Sequence, residues 1–375
     1  YIDEPEKRAA HLTELESRIK LFDPTFDEAR SLDAWIDYVK TIRDEKVAHA
    51  KDYMVETPLL DLETGKPYRM MLPTLVGIDS WTEATVEHLL DLNAAHNADT
   101  EMKDQRTMNM DEGWQKARLM RQLPRLASQG GMYFFLSAHL GKNSNIGGRP
   151  TQKDLTYFGQ DESVKGMGSK FYFLMSSIWR IANTSPLVKK DDRTQTRYPS
   201  EVTISATELQ ELFVVLSRCK NKNSGAQTQL VSSQNLGIMA GLTYYNYLAS
   251  QKYAGLGSAA KPRTLFQPDV DLQRTKAFDA VRCYKTERAL ELLYQLTVIQ
   301  TSWSLIDQPV DYTITPERLT DELSKSTYAV DDILNSRGWW TYNGAKVERD
   351  YLSLPSILDI ISGKYKPKFL KLGSV

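Results

Sequence analysis

Apolar residues recur at helical spacing through two charged segments early in the chain. They are Leu12, Leu15, Ile19 and Phe22 over 5–22, then Leu32, Trp35, Ile36, Val39 and Ile42 over 26–51, and both segments are predicted as helices. Segments 53–61 and 67–72 flank the turn sequence Glu63-Thr64-Gly65-Lys66 and predict a surface hairpin. Leu75-Val76-Gly77-Ile78 follows as a short buried strand that ends at Asp79-Ser80. Residues 93–113 are polar and methionine-rich without a clear period, which predicts a loop. Helical spacing returns over 114–129, with an interruption or restart at Pro124. Met132–Ser137 is a second continuous apolar run of strand length. A long irregular stretch from Gly141 to Gly168 precedes strands predicted over 170–181 and 212–216; inside a compact domain, a loop of that length is usually functional or disordered.

Short, continuous apolar strands alternating with helices predict an α/β domain on a mostly parallel, buried sheet, spanning 1–245. The pattern changes over 246–375. A long apolar-periodic helix is predicted over 286–308. Thr315-Pro316-Glu317 reads as a helix start, with a capping hydroxyl, a proline in the first turn and an acid near the positive dipole end. A helix over 329–337 stops at Gly338, and Asn343-Gly344 between two short apolar segments is a strong hairpin signal. These elements predict a small α+β C-terminal module.

Composition narrows the function classes. Apolar residues make up 41% and charged residues 25%, and no apolar run approaches the length of a membrane span, so no membrane association is expected. The two cysteines, Cys219 and Cys283, support neither a disulfide framework nor a cysteine zinc site. The five histidines show no paired ligand spacing. A reducing, cytoplasmic compartment is the expectation. With a net charge of −1, any nucleic-acid binding must come from local basic patches. The chain opens Tyr1-Ile2-Asp3 without an initiator methionine, which suggests a missing upstream segment.

The candidate chemistry starts at Asp79-Ser80. An acid at the carboxyl end of a buried parallel strand can hold the Mg²⁺ that bridges nucleotide phosphates, as a Walker B acid does. An ordinary strand-to-loop cap looks the same, and only the order of later segments favours function. Those segments are a strand ending Ser137-Ala138-His139-Leu140-Gly141-Lys142, then Lys165-Gly166-Met167-Gly168-Ser169-Lys170-Phe171-Tyr172, then Cys219-Lys220-Asn221-Lys222, and finally Gly338-Trp339-Trp340-Thr341-Tyr342-Asn343-Gly344.

In that order the sequence resembles the RecA family of recombinases, and looks closest to its divergent, phage-type members. The resemblance implies a RecA-like P-loop ATPase core with a mostly parallel twisted sheet, and ATP with Mg²⁺ as cofactors. It further implies a filament on single-stranded DNA that pairs it with a homologous duplex, in the bacterial host cytoplasm if phage-encoded. Asp79, with Ser80, corresponds to the Mg²⁺ acid, and His139 stands where the family carries a polar γ-phosphate sensor. Glu4, beside Pro5, is the candidate for the water-activating glutamate. Lys220 and Lys222 resemble lysines that reach the neighbouring subunit's nucleotide, which requires head-to-tail assembly.

The implied DNA segment, 142–170, carries Lys142, Arg149, Lys153, Lys165 and Lys170 against three acids, with Gly166 and Gly168 among its glycines. Tyr157 and Phe158 are its candidate base-stacking rings. The basic tail Lys364-Tyr365-Lys366-Pro367-Lys368 either adds DNA affinity or is a solubilising end.

One departure is large: no G-x-x-x-x-G-K-[ST] phosphate loop occurs anywhere in the sequence. Either that loop lies upstream of Tyr1, or the chain is a degenerate member that binds no nucleotide. Two rival functions stand beside the recombinase, a hexameric helicase of the same fold and a non-catalytic DNA-binding or structural protein.

Overall fold

The computed structural model describes residues 13–14, 16–21, 31–60, 64, 66–86, 105–142, 155–159, 162–165, 170–200, 205–220, 224–264, 266–302, 311–337 and 350–370. The chain divides into two compact units, one of Tyr1–Trp179 with Leu216–Ala226, the other of Arg180–Val215 with Gln227–Val375. The domain boundary expected from the sequence pattern lies between 245 and 246.

In the first unit, helix α1 (Leu32–Ala48) begins where the Ser31 hydroxyl accepts from the Ala34 amide at 3.2 Å. Its stripe Leu32, Trp35, Ile36 and Val39 is buried. Strands β1 (Met54–Leu60) and β2 (Pro67–Met71) form the expected antiparallel hairpin. Its register shifts between Glu56 and Leu60, around Pro58, whose nitrogen has no hydrogen to give the ladder.

Strand β3 (Thr74–Ile78) runs parallel to β4 (Met132–Leu136), in a register pairing Thr74 with Met132 and Ile78 with Leu136. Between them lie α2 (Gln105–Met120) and α3 (Leu123–Gly130). Pro124 sits in the first turn of α3, so it opens a helix rather than breaking one. Gly131 closes α3 at φ 60°, and a Cβ there would come within 2.9 Å of the Met71 side chain. The inward face of the pair, Val76, Ile78, Met132, Phe134 and Leu136, packs with Trp35, Leu119, Met120, Leu123 and Leu126. The other face is bare: Leu75, Tyr133 and Phe135 are 71%, 48% and 63% exposed.

The expected mostly parallel twisted sheet of a RecA-like P-loop ATPase core is overturned here. Among the described residues β3 and β4 form a single parallel pair, and there is no extended parallel sheet. Strands β5 (Leu140–Lys142) and β6 (Glu162–Val164) pair antiparallel. The largest sheet has four strands in the order β10-β9-β8-β7, comprising β7 (Ser177–Pro186), β8 (Leu209–Cys219), β9 (Gln227–Ser233) and β10 (Gly237–Ile238), with β8/β9 and β9/β10 antiparallel. The physical reason lies in the connections. Seven residues, 220–226, join β8 to β9, too few for the crossover that parallel strands require. A continuous apolar run such as Phe213–Leu216 signals burial without signalling direction.

Two local expectations also fail. Lys170–Ile181 is not one strand: Lys170–Leu174 is a helical turn, α4, and β7 starts at Ser177. The loop predicted over 93–113 is helical from Gln105.

The second unit has two adjoining cores. Leu209 and Val231 of the sheet pack with Leu242, Tyr245 and Leu248 of α5 (Ala240–Ser250) and with Leu290 and Leu293 of α6 (Tyr284–Ser302). Ala289, Leu292 and Leu296, on the other side of α6, pack with α7 (Pro316–Ser324), α8 (Val330–Asn335) and α9 (Leu354–Ile361). Thr315 caps α7 as expected, its hydroxyl accepting from the Arg318 amide at 3.2 Å. The hairpin predicted at 339–348 lies outside the described residues.

Candidate functional site

The register of β3 and β4 decides which side chains meet. Ile78 lies opposite Leu136, so the next residues, Asp79 and Ser137, leave the sheet side by side. The Ser137 amide donates to the Ile78 carbonyl at 3.0 Å, and the Trp81 amide to the Ser137 carbonyl at 2.8 Å. The Ser137 hydroxyl donates to Asp79 Oδ1, and both side chains are exposed. The Asp79–Ser80 peptide is cis.

Residues 79–83 form a turn fixed from three sides. The Ala84 amide donates to the Ser80 carbonyl at 3.1 Å, and the His139 amide to Thr82 Oγ1 at 2.9 Å. Lys116 of α2, 1% exposed, reaches the Thr82 carbonyl at 2.9 Å while pairing with Glu112 at 2.7 Å. A buried ammonium with a charged partner and a carbonyl acceptor is well compensated. Helix α2 thereby holds the turn that presents Asp79. Trp81 anchors the turn from beneath, with its ring fully buried.

Ser80, Ser137 and the outer oxygen of Asp79 are hard oxygen donors, the type Mg²⁺ accepts alongside several waters. Among the described residues no cluster of three His, Cys, Asp or Glu side chains has metal-binding geometry. The donors fit a cation held mainly by water and ligand oxygens; no cradle of amides for a triphosphate is found in the sequence.

The structure brings His139 to this corner, although its amide and not its ring makes the contact with Thr82. The hairpin β5–β6 starts directly after His139, and the Lys165 amide returns to the His139 carbonyl at 2.9 Å. The stem of Lys165 lies against Gly141, where a Cβ would come within 2.8 Å of it. The hairpin therefore roots both ends of segment 143–161 beside the Asp79 turn. Lys142 lies in β5 and Lys170 opens α4, and of the DNA candidates Lys165 alone has a described side chain, which is exposed. Glu4, Arg149, Lys153, Gly166, Gly168 and Lys222 lie outside the described residues.

One candidate takes a different place from that expected. Phe158 is 3% exposed and packs edge-on against Tyr172 at 5.6 Å, so it is a core residue and not a base-stacking ring. Tyr157 remains 41% exposed, its ring lying over Gly225, where a Cβ would come within 2.4 Å. Lys220 is exposed, and its ammonium donates to the Leu174 carbonyl at the end of α4, at 3.3 Å. Sequence reasoning missed Ser137, Thr82 and Lys116. Ser137 stood in plain view at a strand end, whereas Lys116 looked like any solvated helix lysine.

No helix among the described residues is long and apolar enough to cross a membrane. No protein-family model matches the chain, and comparison with curated proteins finds no match.

Proposed function

We propose that the protein is a DNA-recombination factor that binds single-stranded DNA and hydrolyses ATP with Mg²⁺ at the Asp79 corner. One observation carries this reading. Asp79, Ser80, Ser137 and His139 converge at the carboxyl ends of a parallel strand pair, the place where α/β proteins bind nucleotides. The rooting of segment 143–161 at the same corner supports a link between nucleotide and DNA, because His139 bonds Thr82 Oγ1 through its amide and Lys165 of the β5–β6 hairpin through its carbonyl. The order of segments that resembles the RecA family supports recombination over other DNA chemistry. Asp79 would hold Mg²⁺, and the metal would supply charge neutralisation at the phosphates. Assembly into a filament and pairing with duplex DNA belong to the same proposal.

The absence of a phosphate loop from this sequence favours a second reading, a DNA-binding protein without ATP hydrolysis. Steady-state hydrolysis of ATP with and without single-stranded DNA separates them. The proposal expects DNA-stimulated hydrolysis that falls at least about a hundredfold in Asp79→Ala, with DNA binding retained. Hydrolysis absent from the intact chain, or equal in the variant, overturns it in favour of the non-catalytic reading.

A further inference from the structure

The end of the second unit carries a strap whose backbone is fixed while its charges face outward. Helix α9 ends at Ile361, Gly363 turns at φ 72°, and the amides of Lys364 and Tyr365 donate back to the Asp359 carbonyl at 2.8 and 3.1 Å. Four residues on, the buried carboxylate of Asp350 receives three consecutive amides, Lys368 at 2.9 Å, Phe369 at 2.7 Å and Leu370 at 2.9 Å. Pro367 between these anchors is buried. A segment tied at both sides of a buried proline is not a loose solubilising end, the second of the two readings its composition allows.

Lys364, Lys366 and Lys368 are all exposed. They stand at alternate positions on either side of the buried Pro367. Two rings sit among them: Tyr365 is 41% and Phe369 38% exposed, with the Lys368 ammonium 5.2 Å from the Phe369 centroid. The carboxylate of Asp311, which feels the Lys364 charge, is already bound to the amide and hydroxyl of Thr313 at 2.8 and 2.6 Å.

We infer that the strap 364–370 is a binding surface for single-stranded nucleic acid, its lysines meeting phosphates and the exposed ring of Tyr365 meeting a base, with Phe369 holding the Lys368 ammonium beside it. An anionic membrane also attracts basic-aromatic segments, but it needs rings free to insert. These rings are more than half buried and their backbone is anchored, which suits stacking instead. The inference rests on the nucleic-acid part of the proposed function and not on the Asp79 corner.

The test uses the full chain and a fluorescein-labelled oligothymidylate, with affinity read by anisotropy across a salt series and folding checked by thermal melts. The triple variant Lys364→Ala, Lys366→Ala, Lys368→Ala is expected to flatten the log–log salt slope by about 2, three contacts at roughly 0.7 each. Asp350→Ala gives a second reading. It removes a negative charge, so bulk electrostatics would tighten binding; release of the strap should instead weaken it about threefold. An unchanged slope in the triple variant, or tighter binding by Asp350→Ala, overturns the inference. So does a chain that binds phosphatidylserine vesicles and no oligonucleotide. DNA-stimulated ATP hydrolysis is scored separately. A chain that binds through the strap and hydrolyses nothing leaves this inference standing and removes the nucleotide reading.

Discussion

At the scale of single residues, Tyr198 links packing to pH. It is 2% exposed, its hydroxyl donates to Asn246 Oδ1 at 2.8 Å, and the Asn246 amide group passes on to Glu211 at 3.1 Å. Burial pushes its pKa up to about 12, against a smaller opposing pull from Arg197. The unfolded phenol ionises near 10, so between pH 10 and 12 the unfolded state sheds its proton first. The contribution is therefore complete below pH 10 and lost as pH rises toward 12, at about 1.4 kcal/mol per pH unit. Tyr198→Phe abolishes that loss but leaves Asn246 short of a donor, costing about 1–3 kcal/mol at neutral pH. In urea unfolding at pH 7 and pH 11, the gap between wild type and variant should narrow at the higher pH. Tyr244, also pushed up to about 12 by burial, cancels in that difference. A gap that stays constant would show that Tyr198 ionises as freely in the fold as out of it.

Helix α6 shows how far an element can be read from sequence. Its apolar spacing predicted a helix, and the helix is there from Tyr284 to Ser302. Its role was not readable, because it is apolar on two sides and serves two cores, Leu290 and Leu293 in one, Leu292 and Leu296 in the other. Leu293→Ala and Leu296→Ala should each cost about 2–5 kcal/mol. If α6 couples the cores, denaturant melts should show both losses in one transition. A separate early transition in either variant would mean that the cores unfold independently. The Thr315 cap was legible for the same local reason as the helix, since its own hydroxyl reaches the first turn, whereas the start of α1 at Ser31 fell inside the helix predicted over 26–51. What failed depended on distant partners. Leu209–Cys219 has the composition of a buried strand in either direction, and only its neighbour across 220–226 makes it antiparallel. Lys170–Leu174 is too short for its period to separate helix from strand. Phe158 looked like a loop ring because Tyr172, which covers it, lies fourteen residues away.

For the molecule as a whole, the Asp79 corner was legible as a motif, whereas its support was not: Thr82 and Lys116 matter only once α2 folds over the turn. The bare face of the parallel pair was equally hidden, since Leu75, Tyr133 and Phe135 read as core in any strand prediction. Sheets of this kind normally bury both faces, so exposed rings here are a self-association hazard. The double variant Leu75→Lys, Phe135→Lys should keep its melting temperature, because neither side chain gives up burial, and should raise the concentration at which light scattering appears. A large drop in melting temperature would show that this face is buried in solution. The β5–β6 hairpin has a practical consequence for protein engineering. With Leu140–Val164 and Lys142–Glu162 already paired, length added N-terminal to Leu155, clear of the Phe158–Tyr172 contact, should cost little, each doubling of a flexible connection costing about 0.6 kcal/mol. A reporter domain with adjoining termini can therefore be spliced into this segment, where its signal would follow events at Asp79 through the shared hairpin root.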